Sequence, residues 1–279
     1  MGSVQRPVCL SSLDEERFGI RTARASQITL ETLPSVLTFC LRNDVHLLIA
    51  RCDASEVRVA QAMEAEAFSL MDTLLYYACH LTQLDMPQDG TKITVRPIAI
   101  GEEEKVKVVA AKCFRNYLGH YHADARLDRS KCDEVYVSWA IRSCLSRDVA
   151  DEVLVADRGG RIVGFAALRL NSKEEGEGVL FGVDPAVQRQ GIYRSLLIRS
   201  LQWCLSKGTS RMLYSTQLAN FGVQRVLTRV GFEPTHACYT FHKWFDKEAC
   251  ASRQVKRHRG FTDFSKARHG GLGEDSADQ

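Results

Sequence analysis

A glycine-containing turn between an apolar segment and an amphipathic helix is the feature of this sequence with the clearest chemical use. The segment Phe181-Gly182-Val183 runs into Gln188-Arg189-Gln190-Gly191, and apolar spacing predicts a helix over 191–206. The first N–H groups of a helix lack intrahelical partners, and the helix dipole is positive at that end. The turn therefore indicates a pyrophosphate site, to which Arg189 and Arg194 add positive charge. An ordinary strand-to-helix turn is the alternative.

A polar and aromatic loop at 115–129, between two predicted helices, is the second candidate site. Long loops in compact domains often carry function, and this one could close over a sugar ring by stacking and hydrogen bonding. A plain surface connection is the alternative. The spacing of His120 and His122 could suggest a metal, but no third ligand clusters nearby, so no metal site is predicted. The residues predicted to contact a substrate are Tyr117, His120, Tyr121 and His122.

Several side chains could exchange a proton near these two segments. Histidine can accept a proton near neutral pH, and a positioned carboxylate can do the same. The sequence does not choose among these groups or a chain of water molecules. The candidates are Glu177, His120, His122, His236 and His242.

Composition limits the class of protein that can carry this chemistry. The 279 residues include 37 Lys and Arg against 34 Asp and Glu, a net charge of +3, which argues against binding to nucleic acid or an anionic membrane as a main function. No apolar run reaches the roughly 18 residues of a membrane helix, and the N-terminus has no apolar segment of signal-peptide length. The ten cysteines form no C-x-x-C pair, as in proteins that keep reduced thiols. We expect a cytoplasmic α/β protein.

The order of the predicted elements divides the chain into three parts. Residues 1–90 mix short strands with amphipathic helices, and Met86-Pro87-Gln88-Asp89-Gly90 is a strong turn signal that predicts a boundary. From 91 to 245, the pattern predicts one strand, two helices, three strands, a helix, a strand, a helix and a final strand. From 246 to 279 the hydrophobic pattern stops, which predicts a mobile tail.

The turn and this succession resemble the Gcn5-related N-acetyltransferases. Their fingerprint is Q/R-x-x-G-x-G/A, and Gln188, Gly191 and Tyr193 occupy its three named positions, although Tyr193 departs from the usual Gly or Ala. The resemblance implies a mixed central sheet flanked by helices, preceded by a smaller α/β domain. It also implies acetyl-CoA as the acetyl donor. The coenzyme-binding residues that it implies are Phe181, Gly182, Val183, Gln188, Arg189, Gln190, Gly191, Ile192, Tyr193, Arg194 and Asn220.

A narrower similarity, to amino-sugar-nucleotide N-acetyltransferases of the TDP-fucosamine type, rests on scattered motifs. These are Phe18-Gly19, Phe114, Tyr136 with Trp139, and the run 216–220. In that type an aromatic hydroxyl on the last strand protonates the departing thiolate, and spacing from Gly231 assigns this catalytic role to Tyr239. The similarity implies direct acetyl transfer, in a ternary complex, to a nucleotide-linked amino sugar.

Two other readings of the sequence stay open at this stage. The first keeps acetyl transfer but has a different acceptor, such as an antibiotic-like amine, an amino acid or a protein N-terminus. The second is a non-catalytic module that binds acyl-CoA and would not require Tyr239. The sequence also leaves the oligomeric state open, with a homodimer among the alternatives.

Overall fold

The computed structural model describes residues 7–115, 117 and 119–245, which form a mixed sheet with helices on both faces. The strands are β1 (Val8–Leu10), β2 (Thr22–Ala25), β3 (Leu47–Asp53), β4 (Ser69–His80), β5 (Thr94–Pro97), β6 (Glu152–Arg158), β7 (Arg161–Leu170), β8 (Glu175–Val183), β9 (Arg211–Gln217) and β10 (Glu233–Trp244). The helices are α1 (Ser12–Phe18), α2 (Leu33–Arg42), α3 (Val57–Ala65), α4 (Glu103–Cys113), α5 (His120–Ala123), α6 (Arg129–Leu145), α7 (Ile192–Ser206) and α8 (Phe221–Val230). The predicted α/β class is confirmed, and the predicted tail at 246–279 lies outside the described residues.

The sheet runs in the order β1-β2-β3-β10-β4-β9-β8-β7-β6-β5. The pairs β2–β3 and β8–β9 are parallel, while the other neighbouring strands are antiparallel. A parallel pair needs a crossover, and α7 provides it between β8 and β9. This crossover places the predicted glycine turn at the end of β8.

The boundary predicted near residue 90 does not interrupt the sheet. Strand β4 precedes that boundary, but it lies between β9 and β10, which both follow it. Tyr77, for example, is paired with Tyr214 on one side and Pro234 on the other. The segments 1–90 and 91–245 therefore share one hydrogen-bonded ladder, and their independence as folding units stays a prediction.

The two faces of the sheet are covered by different helices. On one face, which we call the donor face, α7 and α8 cover one hydrophobic cluster, and α2 and α3 cover another around Phe68 and Phe241. On the opposite face, the acceptor face, α1, α4 and α6 cover a cluster that includes Phe114, Tyr136 and Phe165. Because side chains alternate along a strand, each strand contributes to both faces.

Local signals fix the helices that surround the site. Ser11 caps α1, and Gly19 ends it in the left-handed conformation with φ of 68°. Asp128 caps α6 by accepting from the N–H groups of Ser130 and Lys131. The prediction of an irregular loop over 115–129 was incomplete, because the short helix α5 forms within it.

Candidate active site

Strands β8 and β9 separate part of the way along their length. They are paired from Glu175 to Gly178 on β8 and from Arg211 to Tyr214 on β9. Beyond that point β8 continues to Val183 and β9 continues to Gln217 without pairing to each other. The facing backbone edges of the two strands are left unpaired, so an extended chain could hydrogen-bond there like an added strand.

The backbone is specialised where the strands separate. The register of β7 and β8 shifts between Ala167–Leu180 and Leu168–Gly178, which leaves Val179 as a bulge. Bulges re-aim side chains and are frequent beside active sites. At Gly178, an added Cβ would lie 2.6 Å from Tyr214 Cδ2, so the aromatic ring can approach only because the residue is glycine.

A groove of about 550 Å³ leads from the α7 turn into this opening. It contains most of the predicted coenzyme-binding residues: Phe181, Gly182, Val183, Gln188, Arg189, Gly191, Ile192, Tyr193, Arg194 and Asn220. The side chain of Gln190 was predicted to join them but lies outside the groove, because its Oε1 accepts a hydrogen bond of 2.9 Å from Arg158. Phe181 and Val183 are buried in the core, as expected for residues that would offer only backbone groups.

The start of α7 has the features of an anion site. Gly191 precedes the helix with φ of 82°, and no side chain caps the first N–H groups of the helix. Arg189, Arg194 and Arg225 also line the groove. Arg189 and Arg225 have no carboxylate partner among the described residues, so their charge is available to a phosphate.

Asn220, which is predicted to bind the coenzyme, caps α8 and borders the groove. Its Oδ1 accepts from the N–H of Val223 at the start of α8, and its Nδ2 donates to Thr216 Oγ1 over 3.1 Å. It also lines the groove and the neighbouring cavity. The residue is therefore a helix cap whose side chain borders the site.

Tyr193, the departure from the fingerprint, points under the opening instead of crowding the turn. Its ring packs on Phe181 with centroids 5.8 Å apart, and its hydroxyl is hydrogen-bonded to that of Tyr214. Burial raises the pKa of both tyrosines above the ordinary value, so both stay protonated. A hydroxyl pair has two hydrogens and uses one internally, which leaves one to donate.

A second cavity, of about 560 Å³, lies on the acceptor face and meets the groove at the opening. Its floor is formed by β4 and β9 and its walls by side chains from α1, α5 and α6 and by Phe114, which follows α4. The residues that line both spaces are Phe114, Tyr117, Phe181, Tyr193, Asn220 and Val223. A donor in the groove and an acceptor in the cavity would therefore meet at this junction.

The walls of the acceptor cavity carry an excess of positive charge. Arg24 is paired with Asp14, and Arg169 with Glu177 over 2.6 Å. The remaining arginines of the lining, Arg17, Arg51 and Arg142, form no ion pair with a carboxylate in the described part of the chain. Asp72 and Asp148 also line the cavity, and burial raises the pKa of Asp72 to about 6.

The structure brings three of the four predicted loop residues to this cavity. Tyr117, His120 and Tyr121 line it, and the Tyr117 hydroxyl is hydrogen-bonded to Gln217 at the junction. His122, the fourth residue predicted to contact the substrate, is not part of this lining. Its Nε2 lies 3.0 Å from Asp133 Oδ1 on α6.

Tyr239, which is predicted to be the catalytic acid, lies away from both spaces. Tyr239 packs against Phe241 in the cluster under α2 and α3, on the donor face, and it lines neither space. The register of β10 shifts between Pro234 and His236, and this extra residue changes which side chains face the acceptor cavity. Counting from Gly231 could not detect that shift.

The candidate proton acceptors lie in different surroundings. Glu177 lines the acceptor cavity at the end of the paired part of β8. His236 stacks on Tyr76 with ring centroids 4.3 Å apart, while His242 is buried against His120. Glu177 is thus the candidate nearest the point where the two strands separate.

Several lining residues come from the first ninety residues, which sequence reasoning had not connected with the site. They are Leu13, Arg17, Arg24, Arg51, Asp72, Leu74 and Tyr76. Arg51 follows the apolar run 46–50, and Asp72 interrupts an apolar strand. A charged residue in an apolar strand is the sequence signal that could have indicated their part in the site. Their meeting depends on β4 pairing with β9, which is a long-range event.

Comparison with known proteins defines the class. Residues 115–232 match the model of the acetyltransferase (GNAT) family. A Gcn5-related N-acetyltransferase from Sphaerobacter thermophilus has the same fold, with a TM-score of 0.62 and 16% identity over 85% of this chain and 76% of that chain. The protein therefore has the fold of the Gcn5-related N-acetyltransferase superfamily. It is an N-acetyltransferase, and acetyl-CoA is its acetyl donor.

Two relatives have more specific names. The chain is 23% identical to the spore coat polysaccharide biosynthesis protein SpsD of Bacillus subtilis, over 74% of this chain and 70% of that protein. It is 30% identical to the mycothiol acetyltransferase of Nocardia farcinica, but over only 27% of this chain and 26% of that protein. In the described residues, no helix is long and apolar enough to cross a membrane.

Proposed function

We propose that this N-acetyltransferase acetylates the amino group of a nucleotide-linked amino sugar. The observation that carries the proposal is the acceptor cavity, in which aromatic rings and arginines without ion-pair partners line the same space. Tyr117, Tyr121, Tyr136 and Trp139 give the lining an aromatic wall against which a sugar could pack, and Arg17 and Arg142 offer charge to a diphosphate. An acceptor amine that carries no anionic group would not use those arginines.

Acetyl-CoA would enter through the groove. Its pyrophosphate would bind the N-terminus of α7 beside Arg189 and Arg225, and its pantetheine arm would follow the free edge of β8. A backbone N–H near the Val179 bulge would then polarise the thioester carbonyl. The acetyl group would thereby face the acceptor cavity at the junction.

Two protons must move during the transfer. Glu177 would take one from the acceptor ammonium, directly or through a water molecule, and the neutral amine would attack the thioester carbon. As the C–S bond breaks, the Tyr193–Tyr214 hydroxyl pair would give a proton to the departing thiolate, and the second proton lost by the attacking nitrogen would restore the pair. The products are the acetamide and CoA, with no acetyl-enzyme intermediate.

The relative SpsD supports the choice of acceptor, because its name places it in polysaccharide biosynthesis. Nucleotide-linked sugars are the activated units of such synthesis, so an acetyltransferase for an amino sugar fits this setting. Because the identity is only 23%, SpsD is secondary support, and the proposal rests on the acceptor cavity.

A panel of amines tests the proposal through release of free thiol from acetyl-CoA. It contains TDP- and UDP-linked 3-amino and 4-amino sugars, the same amino sugars without the nucleotide, an aminoglycoside, amino acids and a short peptide. We expect turnover with a nucleotide-linked sugar at a kcat/KM at least tenfold above that of its free sugar. Preference for any of the other amines contradicts the proposal and identifies the alternative class.

Arg142→Met provides the matched test of the charge argument, because methionine keeps much of the length and removes the cation. Loss of one charge-assisted hydrogen bond predicts a rise of about tenfold in KM for the nucleotide-linked sugar. The KM for the free amino sugar should stay within about twofold. Arg199→Met, on the exposed side of α7, serves as the control.

A further inference from the structure

A chain of buried hydrogen bonds joins the last strand to the acceptor cavity. Asp124 Oδ2 lies 2.7 Å from His242 Nδ1, and His242 Nε2 lies 2.9 Å from His120 Nδ1. His120 lines the cavity, and its Nε2 receives no hydrogen bond from the part of the chain that the structure describes. The chain therefore begins at a carboxylate and ends at a ring nitrogen that is open to the cavity.

The carboxylate end fixes the direction of the first hydrogen bond in this chain. Trp244 Nε1 donates to Asp124 Oδ2 over 2.9 Å, and the N–H of Arg126 donates to Oδ1 over 3.0 Å. Burial would raise the pKa of Asp124, but these donors and His242 outweigh it and lower the pKa, so the carboxylate stays ionised. An ionised carboxylate only accepts, hence His242 carries a proton on Nδ1, and a neutral His242 then accepts at Nε2.

The same logic determines the tautomer of His120. Because His242 Nε2 accepts, His120 must donate from Nδ1, which leaves its Nε2 as a lone pair directed to the cavity. Burial holds the pKa of His120 well below its ordinary value, and the neighbouring His242, Arg24, Arg51 and His122 act in the same direction. These groups come from β10, β2, β3 and α5, and they keep the ring neutral.

We propose that the Asp124–His242–His120 chain makes His120 a permanent hydrogen-bond acceptor for an O–H or N–H group on the acceptor's sugar ring. The inference deepens the proposed function, on which it rests, because it assigns ring recognition to the inner part of a cavity that otherwise carries cationic donors. His120 would contact the substrate, while His242 and Asp124 are positioning residues. The acceptor must therefore present a donor group at this depth.

The tautomer can be measured without any substrate. Two-bond ¹H–¹⁵N correlation spectra of the full chain should show His120 protonated at Nδ1 and unprotonated at Nε2 throughout pH 6 to 8. Addition of a TDP-linked 4-amino sugar should shift the Nε2 resonance. A proton on Nε2, a doubly protonated ring at pH 7 or an unmoved Nε2 signal would overturn the proposal.

Variants at His242 distinguish a role in orienting His120 from a role in packing alone. His242→Leu removes the acceptor for His120 Nδ1, whereas the amide oxygen of His242→Gln can take its place. We expect His242→Leu to raise the KM of the sugar nucleotide about tenfold, as for loss of one oriented hydrogen bond, and His242→Gln to restore part of the loss. The KM of acetyl-CoA and the kcat should stay within about twofold in both.

The controls distinguish this inference from the function on which it rests. His46→Gln alters an exposed histidine outside the lining and should leave both KM values unchanged. Equal losses for donor and acceptor in His242→Leu, or none, would contradict the inference. If no amine in the panel is acetylated, the proposed acceptor class fails, whereas the spectra still decide whether His120 is a fixed acceptor.

Discussion

Removal of the hydroxyl group should affect turnover very differently at two tyrosines, Tyr239 and Tyr193. Tyr239→Phe keeps a ring that packs on Phe241 away from both spaces, so turnover should stay within about twofold of wild type. Tyr193→Phe removes a hydroxyl at the junction, and loss of a positioned proton donor lowers rates by about 10²- to 10⁴-fold. Steady-state kinetics at saturating acetyl-CoA compares the two. A reversed order would restore Tyr239 and reject the Tyr193–Tyr214 pair.

Asp14 shows how a single carboxylate fastens the first helix to the site. It is fully buried and accepts from Arg24, Ser11 and the Tyr121 hydroxyl, the last over 2.7 Å. Burial alone would raise the pKa of Asp14, but the hydrogen bonds and charge of Arg24 outweigh it and the pKa is lowered. A folded-state pKa below the unfolded value stabilises the protein above that unfolded value, near pH 4, and the contribution disappears as the pH falls through the folded pKa.

Asp14→Asn should therefore lower the free energy of unfolding at pH 7 by about 3 kcal/mol, because Arg24 loses its charged partner. Urea titrations at pH 7 and pH 3 measure the effect. The difference between wild type and variant should shrink at pH 3, where the wild-type carboxylate begins to protonate. A difference that is constant with pH would indicate packing and not ionisation. Asp85→Asn, at an exposed position, is the control.

At the scale of elements, the proposed coenzyme site combines the turn before α7 with one side of α8. Arg189 and Arg225 approach the groove from these two elements without ion-pair partners in the described structure. Each alanine substitution should raise the dissociation constant of acetyl-CoA about tenfold at low salt, and less at higher ionic strength. Calorimetric titration with acetyl-CoA measures this, with Arg199→Ala, at an exposed position of α7, as the control. An unchanged constant in the double variant would remove the pyrophosphate from this groove.

The elements also show what the sequence could and could not predict. The α7 turn was predictable because its strand, glycine and amphipathic helix are contiguous, so local rules suffice. The side of β10 on which Tyr239 lies was not, because the register shift near Pro234 depends on pairing with β4. The cavity floor around Asp72 and Tyr76 was missed for the same reason: β4 meets β9 across more than a hundred residues, which no periodicity reports.

For the whole molecule, an almost neutral composition conceals a strongly organised charge distribution. The net charge is only +3, yet eight arginines line the groove and the acceptor cavity, where the proposed ligands would bind. Both ligands of the proposed reaction carry phosphates, so local positive charge raises their concentration at the site without making the entire surface basic. Weak binding to unrelated polyanions is the expected consequence.

The placement of β4 makes a final prediction about the molecule as a unit. Without residues 1–90, β9 and β10 would lose the strand between them, and the donor-face core would lose Tyr77 and Cys79. An exposed gap between two long strands leaves unpaired backbone groups and uncovered apolar surface, both of which destabilise. We expect a fragment of residues 91–279 to show no cooperative thermal transition and no stabilisation by acetyl-CoA. Mixing it with a fragment of residues 1–90 should restore both, as followed by circular dichroism. A cooperative, coenzyme-stabilised 91–279 fragment would instead show that the boundary at residue 90 separates two independent folding units.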